Sequence, residues 1–166
     1  MTRPHERSVP DTPVEFWPTS SIRAALQSGD ITVWQRIVVA VKRDPYGRTA
    51  RQVEEVLESA APYGVSHALH EVLTRARSHL EANERTEAAR HVQILRTRSG
   101  LSNEEFASRI GVSREEFAAY LNATVSPAAS LMIRMRRLSD RFAKIRAQQA
   151  QGATTTEPDD EYPEPD

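Results

Sequence analysis

Leu101-Ser102-Asn103-Glu104-Glu105-Phe106-Ala107-Ser108-Arg109-Ile110-Gly111-Val112-Ser113, running on into Arg114-Glu115-Glu116-Phe117, decides how this chain is read. Ser102 followed three residues later by Glu105 is a capping box, so a helix opens there and carries Phe106, Ala107 and Ile110 inward. Gly111 ends it, because glycine enters the left-handed region at small steric cost. Ser113 and Glu116 form a second capping box almost at once, opening a helix with Phe117, Tyr120 and Leu121 inward. Two short helices joined by a glycine-containing turn of three or four residues describe a helix-turn-helix. Ala107, four residues before Gly111, is small where the two helices cross. Downstream, Ser126-Pro127 is expected to cap a last helix with proline in its first position, and that helix presents Leu131, Ile133, Met135 and Leu138.

The same helical period extends upstream. Thr19 or Ser20 is expected to cap a helix carrying Ile22, Ala25 and Leu26, closed by Ser28-Gly29. Asp30 caps the next, which presents Val33, Trp34, Ile37, Val38 and Val41 and ends at the turn Asp44-Pro45-Tyr46-Gly47. Thr49 to Gln52 reads as a capping box for a third helix with Val53, Val56 and Leu57 inward, broken at Pro62-Tyr63-Gly64. Ser66 caps a fourth with Leu69, Val72, Leu73, Ala76 and Leu80, and a fifth, from about Glu84, carries Ala88, Val92 and Leu95. Alternation of the kind a strand needs is missing, so the fold class is all-α. The expected organisation is an unstructured N-terminus over 1–16, a helical subdomain over 17–82, a helix-turn-helix domain over 83–148 and an unstructured acidic tail over 149–166.

Composition narrows the function. The chain has 166 residues, 22 Lys plus Arg against 23 Asp plus Glu, and no Cys. Disulfides, thiolate metal sites and a cysteine nucleophile are therefore excluded. No run of about 18 apolar residues is present and the N-terminus has no apolar core segment, so a cytoplasmic chain without membrane association is expected. The formal charge of -1 conceals a division: -1 over 1–89, +6 over 90–150 and -6 over 151–166. An anionic partner would meet the middle block.

These residues resemble a known family. The run Leu101 to Ser113, followed by Phe117, Asn122, Pro127, Leu131, Ile133 and Leu138, is similar to the helix-turn-helix of the Cro and lambda-repressor type, the XRE family, over roughly residues 88–140. The resemblance implies a lambda-repressor-like bundle that lays its second motif helix in the DNA major groove. It implies that Arg114, Glu115 and Ala118 face base edges. A guanidinium can pair bidentately with guanine and discriminate by about 1–3 kcal/mol, and Glu115 can accept from cytosine N4. It implies phosphate contacts by Asn103, standing where the family usually has Gln, and by Asn122, with Arg109 and Thr124 adding register-setting contacts. Ala123 replaces the family's usual glycine after Asn122. Double-stranded DNA and a homodimer reading two half-sites are the implied partners.

Other features have plainer readings beside sharp ones. Arg134, Arg136, Arg137, Arg141, Lys144 and Arg146 make either a phosphate-contacting surface or a solvated basic face. His67 and His70, with His79 or His91, lack a metal-ligand pattern and read as ordinary histidines, so no metal and no cofactor is expected. Trp17, Trp34, Tyr46 and Tyr63 read as core anchors sooner than as a recognition surface. The acidic tail reads as a solubilising segment, with a brake on the basic block as the sharper alternative. Hydrolase, phosphate-loop and dinucleotide motifs are missing, so an enzyme is not expected. Two functions remain: a sequence-specific DNA-binding regulator, or an antitoxin-like or adaptor module whose partner or effector engages residues 17–82.

Overall fold

A computed structural model describes residues 10–59 and 65–154 of the chain. The fold is all-α, without strands among the described residues: α1 (Thr19–Ser28), α2 (Ile31–Arg43), α3 (Arg48–Ser59), α4 (Val65–Ser99), α5 (Asn103–Ile110), α6 (Arg114–Leu121) and α7 (Ala129–Thr154). The chain divides into two compact units between Ala82 and Asn83. The break expected at Pro62-Tyr63-Gly64, the first nine residues and 155–166 lie outside the described residues.

In the first unit, Trp17, Ile22, Leu26, Val33, Ile37, Val41, Val53, Val56, Leu69 and Leu73 share one buried core, and Trp34 and Val38 pack against its edge. Gly29, at φ 68°, closes α1, and the Asp30 side chain caps α2 by accepting from the Thr32 amide at 2.8 Å. Order begins earlier than the expected boundary at 17. Val14–Phe16 form a 3-10 turn with Val14 buried, and the Trp17 indole donates to the Thr12 carbonyl at 2.8 Å. A buried indole N–H needs such a partner, and this one holds the preceding strand of chain in place. Neither Thr19 nor Ser20 caps α1; Pro18 does, without a side-chain bond. The capping box at Thr49 to Gln52 does not form either, since α3 starts at Arg48 and both residues are buried. Gln52 Nε2 instead donates to the Trp17 carbonyl at 3.0 Å and to Thr19 Oγ1 at 3.3 Å. A tertiary contact has taken the side chain that a local cap would have used.

The fourth and fifth expected helices are one helix, α4, beginning at Val65 and so containing Ser66 rather than being capped by it. From Glu81 to Glu84 every residue is exposed, so the apolar pattern does lapse there. That lapse changes burial and leaves the backbone helical, because neither Gly nor Pro occurs between 65 and 99 and Leu80, Glu81, Ala82 and Glu84 tolerate a helix well.

In the second unit, Val92, Phe106, Ala107, Ile110, Phe117, Tyr120, Leu131, Met135 and Leu138 form the core. The Phe106 and Phe117 rings meet at 5.5 Å between centroids, an ordinary aromatic pairing distance. Burying each ring contributes about 1.5–3 kcal/mol. Ser126-Pro127 does not cap α7. The Leu131 and Met132 amides both donate to the Ala128 carbonyl at 3.0 Å, so the helix opens after Ala128. Ile133 is 49% exposed, against expectation, since two residues beyond Leu131 is about 200° around the helix from the core. α7 continues past 148 to Thr154, where Ala and Gln sustain it in spite of Gly152.

Candidate nucleic-acid interface

The site is built by α5, α6 and the three residues between them. Ser102 Oγ accepts from the Glu105 amide at 3.2 Å, and Ser113 Oγ accepts from the Glu116 amide at 3.0 Å. Each serine therefore satisfies one of the free amides at its helix start. Gly111, at φ 81°, donates to the Ala107 and Ser108 carbonyls at 3.1 and 3.2 Å, and Val112 donates to Ala107 at 3.1 Å. The last carbonyls of α5 are thus satisfied in the space of two residues, which lets α6 begin at once. Arg134 Nη1 donates to the Ile110 carbonyl at 2.6 Å and ties this end of α5 to α7.

Only the serine half of each capping box forms. Glu105 is taken by Arg109, whose Nε and Nη2 donate to it at 2.9 and 2.6 Å. Glu116, expected to bond back to the Ser113 amide, accepts the Tyr120 hydroxyl at 2.5 Å. That bond, then burial, then the nearby negative charge hold the phenol neutral and push its pKa up to about 12.

Asn103, Arg114 and Ala118 line one open groove, together with Arg96, Ser102, Glu104, Phe117 and Leu121. Three of the seven residues expected at a DNA surface therefore meet there. Arg109 lies on the adjoining surface formed by Ser102, Glu104, Glu105 and Ser108. Glu115 is exposed on α6 outside the groove, and Asn122 and Thr124 are exposed in the turn after it, where their amides close α6 by donating to Ala118 and Ala119. Between them Ala123 adopts φ 57°, a conformation that explains why glycine suits this position.

Neither cation expected to reach DNA is unengaged. Arg114 is ion-paired with Glu104 across the two helix starts. Arg109, besides its pair with Glu105, lies over the Phe142 ring at 4.8 Å from the centroid. On α5 and α6 four carboxylates, Glu104, Glu105, Glu115 and Glu116, stand against two guanidinium groups, Arg109 and Arg114. All four lie in first helical turns, where the macrodipole favours negative charge.

Arg96, in the last turn of α4, lines the groove and was not singled out from the sequence. Its Nε is buried without a hydrogen-bond partner, and no carboxylate pairs with it among the described residues. The signal for it was a pair of cations, Arg96 and Arg98, in the turn before the Ser99-Gly100 stop. On α7, Arg134 and Arg146 bond to backbone carbonyls, whereas Arg136, Arg137, Arg141 and Lys144 are exposed without a partner among the described residues.

In the first unit Trp17 is a fully buried core anchor as expected, whereas Tyr46 is 48% exposed and stands outside the core, its ring beneath Arg77 at 5.0 Å. Tyr63 lies outside the described residues. No group of three His, Asp or Glu among the described residues is arranged to hold a metal, and no described helix is long and apolar enough to cross a membrane. No protein-family model, curated protein or solved structure matches the chain.

Proposed function

We propose that the chain is a sequence-specific DNA-binding regulator that presents α6 to the major groove as a helix-turn-helix of the XRE type. The supporting observation is the groove at the start of α5 and α6, where Asn103, Arg114 and Ala118 converge beside Arg96. Arg114 and Ala118 then face base edges, while Asn103, Arg96 and the Asn122–Thr124 turn approach phosphates. On DNA, Arg114 exchanges Glu104 for a base. An exposed ion pair is worth about 0.2–1 kcal/mol, less than the 1–3 kcal/mol of a bidentate guanine contact, so the exchange is favourable at a matching base and unfavourable elsewhere. The Glu104 pair thus sharpens selectivity and lowers general affinity. Eight residues of α6 read few base pairs, so two copies on half-sites about one helical turn apart complete the operator.

The test is binding of the full chain to its own upstream DNA and to a scrambled duplex of equal length, at two salt concentrations. Preference for the upstream DNA, with both affinities falling as salt rises, is expected. Equal or absent binding refutes the reading.

A second reading, a protein-interaction module of adaptor or antitoxin-like type with weak DNA binding, draws on a different observation. The α5–α6 surface carries more carboxylate than guanidinium, and the first unit exposes Phe16 and Ile31 at 72% and 73%. Phe16→Ser with Ile31→Ser disrupts partner binding under this reading and leaves DNA binding unchanged under the first.

A further inference from the structure

α7 carries a basic stripe of unpaired cations, whose one flanking carboxylate, Asp140, is taken by Arg98 at 2.9 Å. At 100° per residue, Arg137, Arg141 and Lys144 fall within about 60° of one another, on the side of the helix away from Met135, Leu138 and Phe142, which pack into the core. All three are exposed, and none makes an ion pair or hydrogen bond among the described residues. The other cations of the helix are differently placed, since Arg134 and Arg146 bond to backbone carbonyls and Arg136 lies on another side. None of the three stripe residues lines the groove between α5 and α6.

We propose that the acidic segment 155–166 of the same chain docks on this stripe. Charge complementarity is the first support: the segment carries six carboxylates, Glu157, Asp159, Asp160, Glu161, Glu164 and Asp166, and no cation. Reach is the second. The segment follows Thr154, where α7 ends, so Lys144 lies about 15 Å back along the helix and Arg137 about 26 Å. Twelve residues span at most about 40 Å, enough to return along the stripe. Tethering is the third, because a segment on a short connection meets its site at an effective concentration on the order of millimolar, without needing a second molecule. Bound there, the segment cancels the stripe's field and screens it from other polyanions; released, it exposes three adjacent cations. The inference goes beyond the DNA reading and does not depend on it.

The chain has only two lysines, Lys144 in the stripe and Lys42 in the first unit, which provides an internal control. A zero-length carbodiimide crosslink joins an amine to a carboxylate only when the two touch. The full chain is crosslinked when dilute, and the monomer is digested and analysed by mass spectrometry. Crosslinks from Lys144 to Glu157–Glu164 are expected at about fivefold the yield from Lys42, falling to the Lys42 level in about 0.5 M salt, where charges are screened within a few ångströms. Arg137→Gln with Arg141→Gln is expected to reduce the Lys144 yield several-fold while circular dichroism stays unchanged. Equal yields at the two lysines, indifference to the double substitution, or crosslinks formed only between differently labelled molecules would each overturn the proposal. So would Lys144 crosslinks that stay at the Lys42 level in the unsubstituted chain while the double variant loses DNA affinity, because DNA would then be the occupant.

Discussion

Ala123 opposes the fold that contains it. It stands in the turn after α6 at φ 57°, alone in having positive φ among the described non-glycine residues. A Cβ in the left-handed region costs about 1–2 kcal/mol. Ala123→Gly removes that strain, and the added freedom of glycine in the unfolded chain takes back about 0.5–1 kcal/mol. The backbone bonds of the turn, such as Thr124 amide to Ala119 carbonyl at 3.0 Å, are unaffected. A net gain of about 0.5–1 kcal/mol is expected, which at a slope near 1 kcal/mol per molar raises the urea midpoint of the second unit by about 0.5–1 M. Circular dichroism follows the helices of both units together. Both tryptophans, Trp17 and Trp34, lie in the first unit, so their emission is a control that should not move. Gly111→Ala is the converse experiment. The nearest atom to its new Cβ is Arg134 Nη1 at 3.7 Å, an ordinary contact, so the loss of about 1–2 kcal/mol is backbone strain alone. If Ala123→Gly left the midpoint unchanged or lowered it while Gly111→Ala lowered it as expected, the account of the turn would be wrong.

Glu104→Gln frees Arg114 and removes a carboxylate from the groove, so affinity for DNA at low salt should rise about two- to fivefold, read by fluorescence anisotropy; a fall would mean that Glu104 positions the guanidinium instead of withholding it. The raised Tyr120 pKa makes a stability contribution that is complete below pH 10, the ordinary tyrosine value, and is lost as pH rises through about 12. Tyr120→Phe should flatten that alkaline slope in urea titrations, and an unchanged slope would place the titrating group elsewhere. Arg77 donates to the Pro45 carbonyl at 2.9 Å and to Glu54 at 2.5 Å, and its removal to alanine should cost the first unit on the order of 1–3 kcal/mol by tryptophan emission. The same Arg77 bond is the main cause of the lowered Glu54 pKa, so the stability it confers is present above the ordinary carboxylate range and fades as pH falls through the lowered value. Arg77→Ala should therefore also weaken the acid dependence.

Local chemistry made much of the fold legible in advance. Gly29 and Gly111 as left-handed stops, Asp30, Ser102 and Ser113 as caps, and the buried faces of α2, α5 and α6 all depend on residues within four positions of each other. Three of the errors share a cause. Gln52, Glu105 and Glu116 were each assigned to a local cap, and each found another partner: the Trp17 carbonyl, Arg109 and the Tyr120 hydroxyl. A capping glutamate or glutamine has three rotatable bonds, so a better bond elsewhere readily captures it. The division of 65–99 into two helices failed differently, because hydrophobic spacing reports which face is buried and not whether the backbone continues.

The candidate site divides along the same line. From the sequence alone came the all-α class and the short turn between α5 and α6, because helical period and cap chemistry act over short separations; Asn103, Arg114 and Ala118, which line one groove, came from the family resemblance. Only the tertiary structure decided that Arg114 is held by Glu104 ten residues away, that Arg109 rests on Phe142 of another helix, and that Arg96 enters the groove from α4. Charges pair through space, at distances that the order of residues along a chain does not encode.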